Sequence, residues 1–85
     1  MNKNLSIVSE STFEEEFYFG LKIEFKHEGQ VFSVQSRIRK TIAIQQRDLS
    51  LVFSEMKQLS EKKIEKMAQT GVFKSEDFEF RINRC

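Results

Sequence analysis

The sequence predicts a small α+β domain in which one long amphipathic helix covers one face of a mainly antiparallel, three-stranded sheet. Two runs of alternating apolar residues flank a glycine-containing turn, a helical apolar stripe follows, and a third alternation comes near the end of the chain. The 85 residues are enough for a single domain. We expect a flexible N-terminal arm over residues 1–12 and one folded domain over residues 13–85.

The first strand is predicted between Phe17 and Phe25, where every second residue is apolar. This period of two is typical of a strand with one buried face. A competing interpretation starts from Ser11 and Glu14, which have the spacing of a helix capping box. It would place a short helix over 12–18 and make the strand begin later. Both interpretations are open at this point.

The second strand begins at Val31, and Glu28-Gly29 is the predicted two-residue turn between the two strands, because glycine readily adopts the positive φ that such turns need. This turn fixes the register and places Phe25 opposite Phe32. In that register the large apolar side chains share one face, whereas a slip by one residue would separate them. The cross-strand pairs predicted with apolar partners are Phe25–Phe32, Ile23–Val34 and Phe19–Ile38.

A helix is predicted over 46–69, where apolar residues recur at helical spacing and Gly71 follows as a natural C-terminal cap. Its length of about 36 Å matches that of a ten-residue strand. The stretch 40–44 fits either an extension of the second strand or an early start of the helix. The apolar stripe consists of Leu49, Val52, Phe53, Met56, Leu59, Ile64 and Met67.

The third strand is predicted between Phe73 and Ile82, again from alternation. A helical crossover makes it run parallel to the second strand. We therefore expect the strand order 2-1-3, with the first strand in the middle and every neighbouring pair antiparallel. As an alternative to the flexible arm, Leu5, Ile7 and Val8 form a short edge strand.

Composition excludes several classes of protein. The formal net charge is +1, and no apolar run is long enough for a membrane span. The single cysteine, Cys85, cannot form an internal disulfide, and residues 1–11 lack the apolar segment of a signal peptide. We expect a cytoplasmic protein without a membrane partner. His27 and Cys85 are the only strong nitrogen and sulfur ligands, so we expect no metal, no cofactor and no enzymatic activity.

The most informative charge pattern is the window 37–47, which has four basic residues and no acidic one. Arginine suits the bidentate recognition of phosphate or carboxylate. The register places Tyr18 opposite Arg39 on the exposed sheet face, an arrangement that permits a cation–π contact. The candidate binding residues are Tyr18, Arg37, Arg39, Lys40 and Arg47.

Two functions remain after this elimination. The first is a small non-enzymatic module that acts by protein–protein contact, as an inhibitor, adaptor or assembly factor, through the sheet face or a free strand edge. Its partner is another protein or a second copy in a homodimer. The alternative is nucleic-acid binding by the basic window. Against it, Glu16 and Glu24 share the same face, and Tyr18 is the only aromatic side chain there.

Overall fold

A computed structural model describes residues 5–45 and 48–82 of the chain. Within these residues the sheet has four strands in the order β1-β2-β3-β4, and the helices lie between β3 and β4 in the sequence. The α+β class with one long helix is confirmed, whereas the number of strands and their order differ from the prediction. The elements are β1 (Leu5–Glu14), β2 (Tyr18–His27), β3 (Gln30–Arg39), α1 (Lys40–Gln45), α2 (Leu49–Thr70) and β4 (Glu76–Glu79).

The β2–β3 hairpin has the predicted register, with Phe25 opposite Phe32 and Tyr18 opposite Arg39. Its turn residues Glu28 and Gly29 both have positive φ, at 50° and 82°. Positive φ at both central positions is characteristic of the turn type whose twist matches that of the flanking strands. The alternation of apolar residues and the turn chemistry therefore agree, which is why this part of the prediction is correct.

Residues 5–14 form strand β1, which differs from the flexible arm predicted over 1–12 as far as residues 5–12 are concerned, and from the alternative of a short helix over 12–18. Residues 1–4 of the predicted arm lie outside the described residues. The strand pairs antiparallel with β2, from Leu5 opposite His27 to Glu14 opposite Phe19. A bulge at Val8 interrupts the ladder and breaks the period of two. Pairing satisfies the backbone groups along the outer edge of β2, which a flexible arm would have left open. The alternative of an edge strand was thus closer, although β1 is longer than Leu5–Val8.

Strand β4 pairs parallel with β3, from Val34 opposite Glu76 to Arg37 opposite Glu79. The predicted order 2-1-3 is therefore wrong. Because β1 occupies the outer edge of β2, the segment that follows α2 pairs with the edge of β3 instead. The result is a mixed sheet with antiparallel pairs at one side and a parallel pair at the other.

The helices follow β3 directly. The stretch 40–44 belongs to α1, which settles the ambiguity in favour of helix. Helix α2 has Asp48 as its N-cap and Gly71 as its C-terminal cap. The φ of Gly71 is 76°, and its N–H donates to the carbonyl of Met67. Helix α2 starts three residues later than predicted and ends one residue later. Neither helix in the described part of the chain combines the length and apolar character that a membrane span requires.

The core lies between α2 and one face of the sheet. Phe25 is fully buried and stacks on Phe32 at 5.7 Å between ring centroids, and Phe19 meets Phe53 on α2 at 6.2 Å. These aromatic rings lie beneath the helix as predicted. The other sheet face, which we name the open face, carries the alternate residues of the strands, including Arg37 and Arg39.

Candidate functional site

Tyr18 and Arg39 form the cross-strand pair predicted for the open face. The Arg39 Cζ lies 6.0 Å from the centroid of the Tyr18 ring. The Nε of Arg39 also lies 3.5 Å from a carboxylate oxygen of Glu79 on β4. The side chain of Arg39 is nevertheless 60% exposed. The guanidinium group is therefore held in place and still open to contact with a partner.

Arg37 is held by two carboxylates and one ring. Its Nε donates to Glu15 at 2.8 Å, its Nη1 lies 3.7 Å from Asp77, and its Cζ lies 5.3 Å from the centroid of Phe13. The hydrogen bond to Glu15 is the main reason why the pKa of Arg37 is raised, and the charges of Glu15 and Asp77 add to it, against a smaller opposing effect of desolvation. The positive charge of Arg37 is therefore balanced by carboxylates of the same chain.

Lys40, the first residue of α1, is also paired within the chain. Its Nζ lies 2.6 Å from a carboxylate oxygen of Glu14 and 5.4 Å from the centroid of the Phe19 ring. The pair connects the end of β1 to the start of α1. Arg47, the remaining candidate residue, lies outside the described residues. The structure thus brings Tyr18, Arg37, Arg39 and Lys40 together at one end of the sheet.

The open face is balanced in charge, although the window 37–47 is basic in sequence. The acidic groups that pair with its two arginines come from the turn after β1 and from β4, far from the window in the chain. Within the described residues, the strands place Lys22, Lys26, Arg37 and Arg39 on this face together with Glu24, Asp77 and Glu79, and Glu15 of the adjoining turn pairs with Arg37.

Phe17 is the functional candidate that sequence reasoning missed. As the first member of the apolar alternation it was predicted to be buried, but it lies in the turn between β1 and β2 and is 67% exposed. Its carbonyl accepts a hydrogen bond from the N–H of Lys40 at 2.9 Å, which fixes the turn against α1. The large exposed ring is therefore presented by an anchored backbone.

A groove of about 270 Å³ opens beside Phe17. Its walls include Tyr18, Arg39 and Lys40, so it joins the exposed ring to the cation–π pair. We name Phe17, Tyr18 and Arg39, with this groove, the Phe17 corner. Two aromatic rings and one exposed guanidinium group within a single shallow groove form the most distinctive surface near the predicted site.

Few residues in the described part of the chain are candidates for catalysis or metal binding. Among residues 5–45 and 48–82, no three His, Cys, Asp or Glu side chains come together as a metal site. His27 is half-buried and stacks on Phe73 at 3.8 Å between ring centroids. Packing against an aromatic ring gives this imidazole a structural role. Cys85 lies outside the described residues.

No family model, curated protein or solved structure matches this chain. Arguments about function therefore start from the surfaces described above and from their chemistry.

Proposed function

We propose that the chain is a small non-enzymatic protein-binding module, an inhibitor, adaptor or regulatory factor, that contacts its partner through the Phe17 corner. The observation that carries the proposal is the 67% exposure of Phe17 next to Tyr18 and Arg39. Tryptophan, tyrosine and arginine dominate the binding energy of protein interfaces, and phenylalanine is enriched in them. An anchored phenylalanine beside such a pair is well suited to insert into a pocket of a partner.

The charge arrangement supports a protein partner over a nucleic acid. A phosphate at Arg37 would compete with Glu15 and Asp77, and one at Arg39 would meet Glu79. Binding to nucleic acid depends mainly on basic groups that neutralise phosphates and release counterions. Because the open face is balanced, that driving force is weak on this face, and the aromatic groups of the corner are more useful to a protein interface.

The experiment compares affinity capture by the purified protein and by three variants. Phe17→Ala and Arg39→Glu should each reduce the recovered partner at least tenfold, since each removes one anchor of the corner. Val72→Ala is the matched control, because Val72 is 62% exposed and lies elsewhere. Unchanged urea midpoints verify that the variants are folded. Equal recovery by all four proteins would refute the proposal.

Two further measurements test the other two kinds of partner, a second copy of the chain and a nucleic acid. Light scattering detects a homodimer, which Phe17→Ala should dissociate if a second copy occupies the corner. Fluorescence anisotropy with random single-stranded and duplex oligonucleotides tests the nucleic-acid alternative. We expect no binding at low salt. Binding whose logarithm falls with log salt at a slope of about −3 to −4 would instead favour that alternative.

A further inference from the structure

Among the residues that the structure describes, none pairs with the outer edge of strand β1. The strand is ten residues long, pairs with β2 on one side, and is the first strand in the sheet order. Eight of its ten residues are exposed, Ile7 and Val8 each by 54%. A free edge presents unpaired N–H and C=O groups along about 33 Å, which is a template for an added strand. The bulge at Val8 divides this edge into a short part, 5–7, and a longer part, 9–14.

A groove of about 280 Å³ runs between the short part of β1 and helix α2. Leu5, Ile7 and Ile64 provide its apolar surface, and Glu61 and Glu65 line it on the helix side. The side chains of a strand added to β1 would alternate between the two sheet faces. Those on the helix side, opposite Leu5 and Ile7, would enter this groove.

The two charged residues that line this groove, Glu61 and Glu65, are both acidic. The charged residues within β1 are Glu10 and Glu14, and both are paired, with Lys57 at 3.3 Å and with Lys40 at 2.6 Å. Glu61 and Glu65, by contrast, form no ion pair with any residue that the structure describes. A long basic side chain suits such a place, because its methylene groups cover apolar surface while its charge meets the carboxylates.

We propose that the edge of β1 binds an extended segment of a partner protein as a fifth strand, and that a Lys or Arg of this segment fills the groove and meets Glu61 and Glu65. Backbone hydrogen bonds along residues 9–14 hold the segment, and the basic side chain selects it. Charge disfavours a second copy as the occupant, because β1 itself contains no Lys or Arg that could enter the groove.

This inference shares with the proposed function only the premise that the partner is a protein. The two surfaces differ, since the groove beside Leu5 lies near the β2–β3 turn and the Phe17 corner lies at the opposite end of β2. Each of the two proposals can therefore fail without the other.

The probe is a displayed library of random twelve-residue peptides, selected on the purified protein at about 150 mM salt. We expect enrichment of peptides in which one Lys or Arg lies within an alternating β-branched pattern. Binding of their synthetic forms should cause amide chemical-shift changes in β1. It should weaken at least tenfold in the double variant Glu61→Gln, Glu65→Gln. Glu55→Gln, which changes an exposed carboxylate elsewhere on α2, is the matched control and should bind like the wild type.

Several outcomes would overturn the inference. These are a selection without basic enrichment, equal binding to the wild type and to the Glu61/Glu65 double variant, and shifts that map away from β1. Peptides that map to the Phe17 corner would support the proposed function while rejecting the edge. Both glutamates are exposed, and Gln forms helices about as well as Glu. The double variant should therefore remain folded, which its urea midpoint verifies.

Discussion

The ring of Phe13 lies over Gly20, its cross-strand neighbour, in the space that a Cβ at position 20 would fill. Arg37 lies against the same ring at 5.3 Å from its centroid. Glycine in the middle of a strand normally weakens it. Here its missing side chain makes room for an aromatic ring from β1 and so attaches the edge strand to the hairpin.

Gly20→Ala should therefore destabilise the protein by about 1–2 kcal/mol, in the ordinary range for a single substitution. The new methyl group displaces the Phe13 ring, which loses its contact with the sheet and with Arg37. Urea unfolding followed by circular dichroism measures the change in the free energy of unfolding.

The control is a double-mutant cycle with Phe13→Ala. Without the ring, Gly20→Ala should be neutral or stabilising by up to about 1 kcal/mol, since alanine restricts the unfolded chain. An equal loss in both backgrounds would mean that the ring does not occupy this space.

The contrast between β1 and the hairpin shows what the sequence can predict. In β2 and β3 one face is buried, so apolar residues alternate and fix the register through Phe25 and Phe32. In β1 most side chains are exposed and polar, and the bulge at Val8 shifts the period, so no alternation marks the strand. The error in strand order follows from this omission, because the position of β4 depends on which edge β1 has already covered.

The candidate site likewise has one part that could be predicted from the sequence and one part that could not. The contact between Tyr18 and Arg39 could be predicted because it lies within the hairpin register. The partners of Arg37 could not be predicted, since Glu15 and Asp77 come from segments whose placement depends on tertiary packing. Likewise, the exposure of Phe17 results from the turn that β1 imposes.

Phe25→Ala should be the most destabilising of the aromatic truncations. Phe25 is fully buried, between Phe32 and Phe73, whereas Phe53 is only half-buried. Removing a buried phenylalanine ring costs about 3–5 kcal/mol, a large part of the stability of a small domain.

Phe25→Leu, which leaves a smaller cavity, keeps the comparison measurable if the alanine variant does not fold. The loss of stability measured by urea unfolding should decrease in the order Phe25→Ala, Phe53→Ala, Phe25→Leu. A larger loss for Phe53→Ala than for Phe25→Ala would contradict this account of the core.

Ser60→Ala should stabilise the protein. The Ser60 hydroxyl is fully buried in α2 and has no hydrogen-bond partner among the described residues. Removing a buried unsatisfied hydroxyl relieves a desolvation cost of about 1 kcal/mol or more. Ser54→Ala, on the exposed side of the same helix, gains only the difference in helix propensity, about 0.5 kcal/mol. A larger rise in urea midpoint for Ser60→Ala than for Ser54→Ala is the expected result, and equal rises would show that the Ser60 hydroxyl is satisfied in solution.

The acid sensitivity of the fold should depend in part on Asp48, the N-cap of α2. Its carboxylate accepts hydrogen bonds from the Ser50 hydroxyl at 2.6 Å and from the backbone N–H groups of Ser50 and Leu51. The Ser50 hydroxyl and then the Leu51 N–H are the main causes that lower the pKa of Asp48. A carboxyl group with a lowered folded-state pKa stabilises the fold above its unfolded value of about 3.9, and this contribution is lost as the pH falls through the folded-state pKa.

Asp48→Asn keeps a capping oxygen but has no carboxyl group to titrate. The variant should therefore be less stable than the wild type at pH 6, and the difference should shrink as the pH falls below about 4. Urea midpoints of both proteins at pH 6 and pH 3 measure this, and taking the difference cancels the titration of the other carboxyl groups. A difference in midpoint that stays constant between the two pH values would mean that the charge of Asp48 contributes nothing to the cap of α2.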